Sequence, residues 1–289
     1  MKLTWTAPDL TTVEFSKTSS SYVLTKMMMG FANPTPKFQT ATGPVQNGST
    51  LLDSHIGPRD IMFGFVLTAA NLEGLQTLVA NLASKFNPLN GPGTLTYTYE
   101  NGTEYSIACI GNNTPQMDPM NKSLTHWAGT ISLVAHNPFW STTETLYPIV
   151  VGASSWIPWF ANNWIIAGFG GLGSVINLGT QPISVKIDLY GGTGSVTNPT
   201  ITLSGTGEFI AVTKKIDTGE HFSINTDQNV LTATSYDSGG VASNGYPYLT
   251  TTSTFFQLLA GTNTITLTAS NADVGAYVSI TKADKYVGV

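Results

Sequence analysis

The sequence predicts a mainly β protein: a β-rich first half that carries one α-helix, then a second half folded as a β-sandwich. Three observations carry this reading. Apolar and polar residues alternate in short runs along the whole chain, the mark of strands with one buried face. Only one window has helical spacing, and it lies in the first half. The second half has no helical window, and Gly, Asn and Asp cluster between its alternating runs, as turns require.

In the first half, "TLTYTYE" puts Leu95, Tyr97 and Tyr99 on one face, and "GTISLVA" does the same for Ile131 and Leu133. Between the early strands and these runs lies "TAANLEGLQTLVANLASKF". Its Leu72, Leu75, Leu78, Val79, Leu82 and Phe86 share a helical stripe, which predicts a helix over about 69–86 packed on a sheet. Thr68 is the expected N-cap, and the prolines and glycines of "NPLNGPG" stop the helix. The segment "HNPFWSTTETLYP", with Phe139 and Trp140, reads as a boundary, dividing the chain into domains 1–148 and 149–289. In the second domain "SVKIDLY", "HFSIN" and "AYVSITK" alternate. Near the end, "STFFQLLAGTNTITLTA" runs two phenylalanines and two leucines into Gly261, which turns the chain before a strand with its threonines on one side. Adjacent residues of a strand face opposite ways, so Phe255 and Phe256 are not expected to enter the same core. The outward ring needs cover of its own, from a loop, the other domain or a neighbouring subunit.

Composition narrows the function classes. Charged residues make up 10% of the chain, against roughly 25% in typical domains, and uncharged Thr, Ser, Asn and Gly fill the gap. Such a surface suits extensive contact with other proteins. The net charge of −5 and the lack of basic clusters argue against a nucleic-acid clamp; Lys214–Lys215 is a solitary pair. A single cysteine, Cys109, excludes an intramolecular disulfide. The start "MKLTWTAPDL" lacks the apolar core of a signal peptide, and the run "WIIA" is far too short for a bilayer, so assembly in a cytoplasm and no membrane contact are expected.

No constellation calls for an enzyme or a cofactor. "GFGGLG", Gly168 to Gly173, matches the dinucleotide fingerprint in letters, with Asp188 twenty residues on, but "SVINLGTQPISV" cannot open the helix that would hold a pyrophosphate. A glycine loop is the expectation there. His55, His126, His136 and His221 lack metal-ligand spacing. Cys109 sits in an apolar strand, where it is expected to be buried and inert. Asp53 and Asp60 flank "SHIGPR" as solvated loop carboxylates rather than a hydrolase pair. Trp156, Trp159 and Trp164 are expected to plug a core or an interface; the sharper reading is an aromatic platform for a sugar.

Taken in order, these segments resemble the distal tail protein family of phages with long, non-contractile tails. "GPVQNGSTLLDSHIGPRDIMFGFVL" resembles that family's glycine turn, the strand led by Arg59 and the apolar strand after it. "GTLTYTYENGTEYSIACI" and "HNPFW" follow in the same order. "NPTITLSGTGEFIAVTKKIDTGEHFSIN" and "STFFQLLAGTNTITL" resemble the closing domain more strongly. The resemblance is loosest over 1–40 and 149–180. It implies a galectin-like second domain and a structural role without enzymatic activity: a homo-hexameric ring at the tail tip of the virion, joining the tail tube protein to the tail-tip and receptor-binding proteins, with DNA passing through its channel unbound. Some family members carry carbohydrate-binding insertions, for which this length leaves no room. The competing readings are a carbohydrate-binding tail module and a wall-degrading tail hydrolase; the latter lacks an acid/base pair. Arg59, Leu75, Leu78, Phe139, Trp140, Trp156, Trp159, Phe255, Phe256 and Gly261 are the structural and interface candidates.

Overall fold

Strong alternation at the N-terminus makes a hairpin of Lys2–Thr6 and Thr12–Ser16, with Leu3, Trp5, Val13 and Phe15 all turned inward. A computed structural model describes residues 1–32, 34–150, 170–192, 194–272 and 276–289. The hairpin belongs to a ten-stranded sheet in which the strand Arg59–Thr68 buries Ile61, Phe63, Phe65 and Leu67 and pairs along its length with His126–Ala135. The strand Glu104–Gly111 pairs with Gly93–Thr98 on one side and with Leu133 and Val134 on the other, so the sheet closes on itself. An aromatic core fills the enclosure. Trp5 stacks on Phe86 at 4.8 Å and Phe15 meets Phe63 edge-on at 5.2 Å, geometries that aromatic quadrupoles favour.

The helix spans Leu72–Lys85, within the expected window. Its N-cap is Asn71, whose side chain accepts from the Gly74 amide at 2.8 Å; Thr68 instead closes the preceding strand, so the expected cap is corrected by three residues. Leu75 and Leu82 are buried, while Leu78 and Val79 pack partly exposed against the same core. The stripe is therefore narrower than its sequence spacing suggests.

One element stands apart. Pro36–Ala41 and Thr50–Ile56 form a separate two-stranded sheet, exposed from end to end apart from the partly covered Ile56. Register sorts its faces. Pro36 pairs with Ile56, Phe38 with Ser54 and Thr40 with Leu51, while Lys37 with His55 and Gln39 with Asp53 lie on the reverse. A bulge between Gln39 and Thr40 leaves Leu52 as the extra residue.

The chain divides into one unit of Met1–Thr143 with Tyr286–Val289, and a second of Glu144–Lys285. The expected division at 148/149 moves because Thr145–Val150 pairs in full with Tyr277–Lys282, so it is already a sandwich strand. The second unit has a six-stranded sheet and a four-stranded sheet. The first runs Thr145–Val150, Tyr277–Lys282, Val185–Tyr190, His221–Asn225, Thr232–Tyr236 and Ala242–Asn244; the second runs Gly170–Asn177, Gly261–Thr268, Thr200–Leu203 and Phe209–Ala211. Ile187, Leu189, Phe222, Ile224, Val278 and Ile280 from one, and Val175, Ile201, Leu203, Ile265 and Leu267 from the other, join in a single core, as a sandwich requires.

Two expectations change here. Gly170–Gly173 lie in a strand, not a loop, and pair with Ile265–Thr268; a Cβ on Gly173 would strike the Ile149 side chain. The Phe255–Phe256 stretch is not a strand: among its residues only Leu258 bridges, to Ile183. Freed from strict alternation, both rings reach the same core, Phe256 buried and Phe255 partly so beside Tyr246. Gly261 does turn the chain, at a φ of 96° that favours glycine.

Candidate functional site

The best-built polar centre surrounds Arg59. Its strand position places the side chain under the first unit's surface, only 1% exposed. Among the described residues no carboxylate pairs with it. Nε donates to the Pro138 carbonyl at 2.7 Å, Nη1 to the carbonyls of Gly30 at 2.7 Å and Phe31 at 3.0 Å, and Nη2 to that of Val287. Burial pulls the guanidinium pKa down from its ordinary value, yet the planar fork satisfies the charge with dipoles instead of a counter-ion.

The same centre gathers other predicted residues. Trp140 is buried, donates from Nε1 to the Phe31 carbonyl at 3.1 Å and stacks on Phe31 at 5.6 Å; Phe139 beside it is half-buried. The Val289 amide donates to that carbonyl as well, and Gly288 lies so close to Ala32 that a Cβ would fall 2.1 Å from its carbonyl oxygen. Rings continue outward from Phe31 to Tyr97, Tyr99, Tyr105 and Tyr286, each within 6 Å of the next. Arg59 thus joins three chain segments that sequence spacing kept apart. Leu75 and Leu78 lie on the helix, away from these contacts. Phe255, Phe256 and Gly261 belong to the second unit. Trp156 and Trp159, with Trp164, lie outside the described residues.

Among the described residues, the groups named as catalytic candidates do not converge on one another. Among the described residues no group of three or more His, Cys, Asp or Glu could hold a metal. Asp53 and Asp60 are exposed. Cys109 is buried, its thiol pushed up to about 12 by desolvation, which keeps it from acting as a nucleophile. Lys214 is spent on Glu220 at 3.4 Å and on Ser235 at 2.7 Å, and Lys215 on Asp217 at 2.6 Å. No described helix is long and apolar enough to cross a membrane.

What remains is a pair of structural units, one of which carries an exposed two-stranded arm. A family model for the phage tail protein RIFT-related domain matches residues 14–134, and one for the C-terminal domain of the siphovirus-type tail component matches residues 178–281. The chain belongs to the siphophage distal tail protein family. Among solved structures, this distal tail protein is similar to the Dit protein of phage SPP1, described as a paradigm of the hub adsorption apparatus in phages infecting Gram-positive bacteria: TM-score 0.70, 12% identity, 98% of each chain covered. It is also similar to a chain of the phage P2 baseplate in its activated conformation with calcium, at TM-score 0.53 and 12% identity, covering 100% of this chain and 99% of that one. The strontium form of that baseplate matches at TM-score 0.52 and 12% identity, with the same coverage. No curated protein matches the sequence. As a distal tail protein the chain is a component of the phage tail.

Proposed function

We propose that the protein acts at the tail tip as a homo-hexameric ring, assembled in the host cytoplasm, that joins the tail tube protein to the tail-tip and receptor-binding proteins and lets DNA pass without binding it. The observation that carries the oligomer is the free-standing arm. An isolated two-stranded hairpin is marginally stable in water, and this one carries Pro36, Phe38 and Leu51 exposed on one face, with Ile56 there only partly covered. Phe38 is 62% exposed and Leu51 57%; covering one such side chain contributes about 1.5–3 kcal/mol. An arm that meets a different surface on the next copy makes a head-to-tail contact, and such contacts close into rings when the rotation allows. The relatives, structural tail and baseplate proteins, favour assembly over catalysis.

The test is a double substitution, Phe38→Asp with Leu51→Asp, which leaves the closed sheet untouched. Mass measurement in solution, alone and with tube or baseplate proteins, should show hexamers for the parent and subunits for the variant. Hexamers that survive the substitution remove the arm from the ring contact. A parent that stays monomeric in both conditions overturns the ring itself.

A further inference from the structure

Asparagine is a thermolabile residue, and most so when glycine follows it. The chain contains four such pairs: Asn47–Gly48, Asn90–Gly91, Asn101–Gly102 and Asn244–Gly245. In each, the glycine amide nitrogen is placed to attack the side-chain carbonyl of the asparagine, because glycine has no side chain to block the approach. Two conditions govern the rate. The amide must be free to give up its proton, and the asparagine must be free to turn its carbonyl onto the nitrogen. A backbone N–H held by an acceptor resists both.

Three of the four pairs are held. The Gly91 amide donates to the Pro88 carbonyl at 3.2 Å, that of Gly102 to Tyr99 at 3.1 Å and that of Gly245 to Ala233 at 2.8 Å. Their asparagines are tied as well. Asn90 Nδ2 donates to the Ser84 carbonyl at 2.9 Å, Asn101 Oδ1 accepts from the Thr103 amide at 3.0 Å, and Asn244 Oδ1 accepts from the Tyr246 amide at 3.1 Å. Asn244 also lies in a strand, in register with Thr234. The fourth pair differs. Asn47 and Gly48 sit at the turn of the arm, between Pro36–Ala41 and Thr50–Ile56, and both are exposed. Among the described residues neither the Gly48 amide nor the Asn47 side chain has a hydrogen-bond partner. The bonds of this turn join Gly43 to Gln46 and Gln46 to Thr50, and pass the pair by. A Cβ at Gly48 would meet nothing within 4 Å, so no neighbour crowds the path.

We propose that Asn47 is a self-modification site, converted through a cyclic imide to aspartate and isoaspartate. The Gly48 nitrogen loses its proton to solvent and bonds to Asn47 Cγ; the side-chain nitrogen takes up a proton and leaves as ammonia. Water then opens the ring. Attack at the side-chain carbonyl restores the main chain with aspartate at 47, and attack at the main-chain carbonyl routes the chain through the side chain as isoaspartate. No electrons are transferred, and water is the sole co-reactant. Either product puts a carboxylate two residues from Val45, which is 96% exposed, so an uncharged tip becomes anionic. The reaction does not depend on the ring.

The full chain, held in mildly alkaline buffer and then digested with trypsin, tests it. Cleavage after Lys37 and Arg59 gives a peptide, 38–59, in which Asn47 is the one asparagine. That peptide should gain the amide-to-acid mass about tenfold faster than those carrying Asn90, Asn101 or Asn244. In urea, which frees all four pairs, the rates should converge. Asn47→Gln should leave the melting temperature unchanged and remove most of the isoaspartate that an isoaspartyl methyltransferase labels in the folded chain. Equal conversion at the four sites in the folded chain overturns the proposal, as does labelling undiminished in Asn47→Gln. A lead for Asn47 that survives unfolding overturns it too, because its cause would then be the neighbouring sequence and not the free turn.

Discussion

Arg59 illustrates how one residue can hold a surface together without an ion pair. A guanidinium reaches four carbonyls because its donors diverge in one plane; an ammonium at the end of a lysine cannot span them. Arg59→Lys should therefore destabilise the first unit on the order of 3 kcal/mol, read as a lower denaturant midpoint at unchanged slope. A midpoint within error of the parent would mean that water replaces the fork at no cost. Cys109 makes a second residue-scale prediction. Its thiol titrates near 12 in the fold against 9.0 for an ordinary cysteine, so the raised value gives stability that is intact below pH 9 and lost as pH climbs toward 12. Tyr97 and Tyr190, both raised by burial, push the same way. Melting temperature should hold flat to pH 9 and fall above it, and a thiol reagent at pH 8 should label Cys109 only after unfolding. The family resemblance pointed to Arg59 as a strand leader, and the apolar run around Cys109 marked it as a buried strand residue. The sequence did not reveal the carbonyl cage, because Gly30, Pro138 and Val287 meet only through tertiary structure.

At the scale of elements, the helix was legible because 3.6-residue periodicity is a local signal. Its cap was misplaced because Thr68 and Asn71 are both good capping residues and only the strand end decides between them. The burial pattern sets an order for alanine substitutions: Leu82→Ala, from a fully buried position, should cost about 2–5 kcal/mol, and Leu78→Ala clearly less. Equal costs in chemical denaturation would return Leu78 to the core. The arm was not legible as an arm. Its sequence alternates like any half-buried strand, and nothing local says that the buried half has no partner within its own chain. A row of stacked rings on the six-stranded sheet was hidden for a related reason. Tyr190, His221, Tyr236 and Tyr277 come from four strands, and only cross-strand register brings them together. The one trace was a ring at the edge of each alternating run. Phe255 and Phe256 show the opposite error: the opposed-face argument holds for strands, and this stretch is not one.

For the whole molecule, fold class and the order of the units followed from periodicity and from the density of turn residues, because both are statistical over many residues. The division between units was displaced because Thr145–Val150, in a polar setting, reads as linker until its partner Tyr277–Lys282 is seen. Charge acts at this scale too. A net charge of −5, with Lys214 and Lys215 already committed to carboxylates, leaves no basic stripe for a phosphate backbone. No complex with double-stranded DNA is expected at about 150 mM salt. A tight complex that weakens steeply with added salt, seen by fluorescence anisotropy, would contradict a passive channel.

The acceptor that completes the Arg59 cage, Val287, is 228 positions downstream of it. During synthesis a ribosome emits every strand from Lys2 to Ser141, then the entire sandwich, before it adds the residues that finish the earlier unit. The part encoded first is thus sealed last. Any partnership that requires a finished first unit must wait until Val287 has left the ribosome, by which time the whole second unit has already been made.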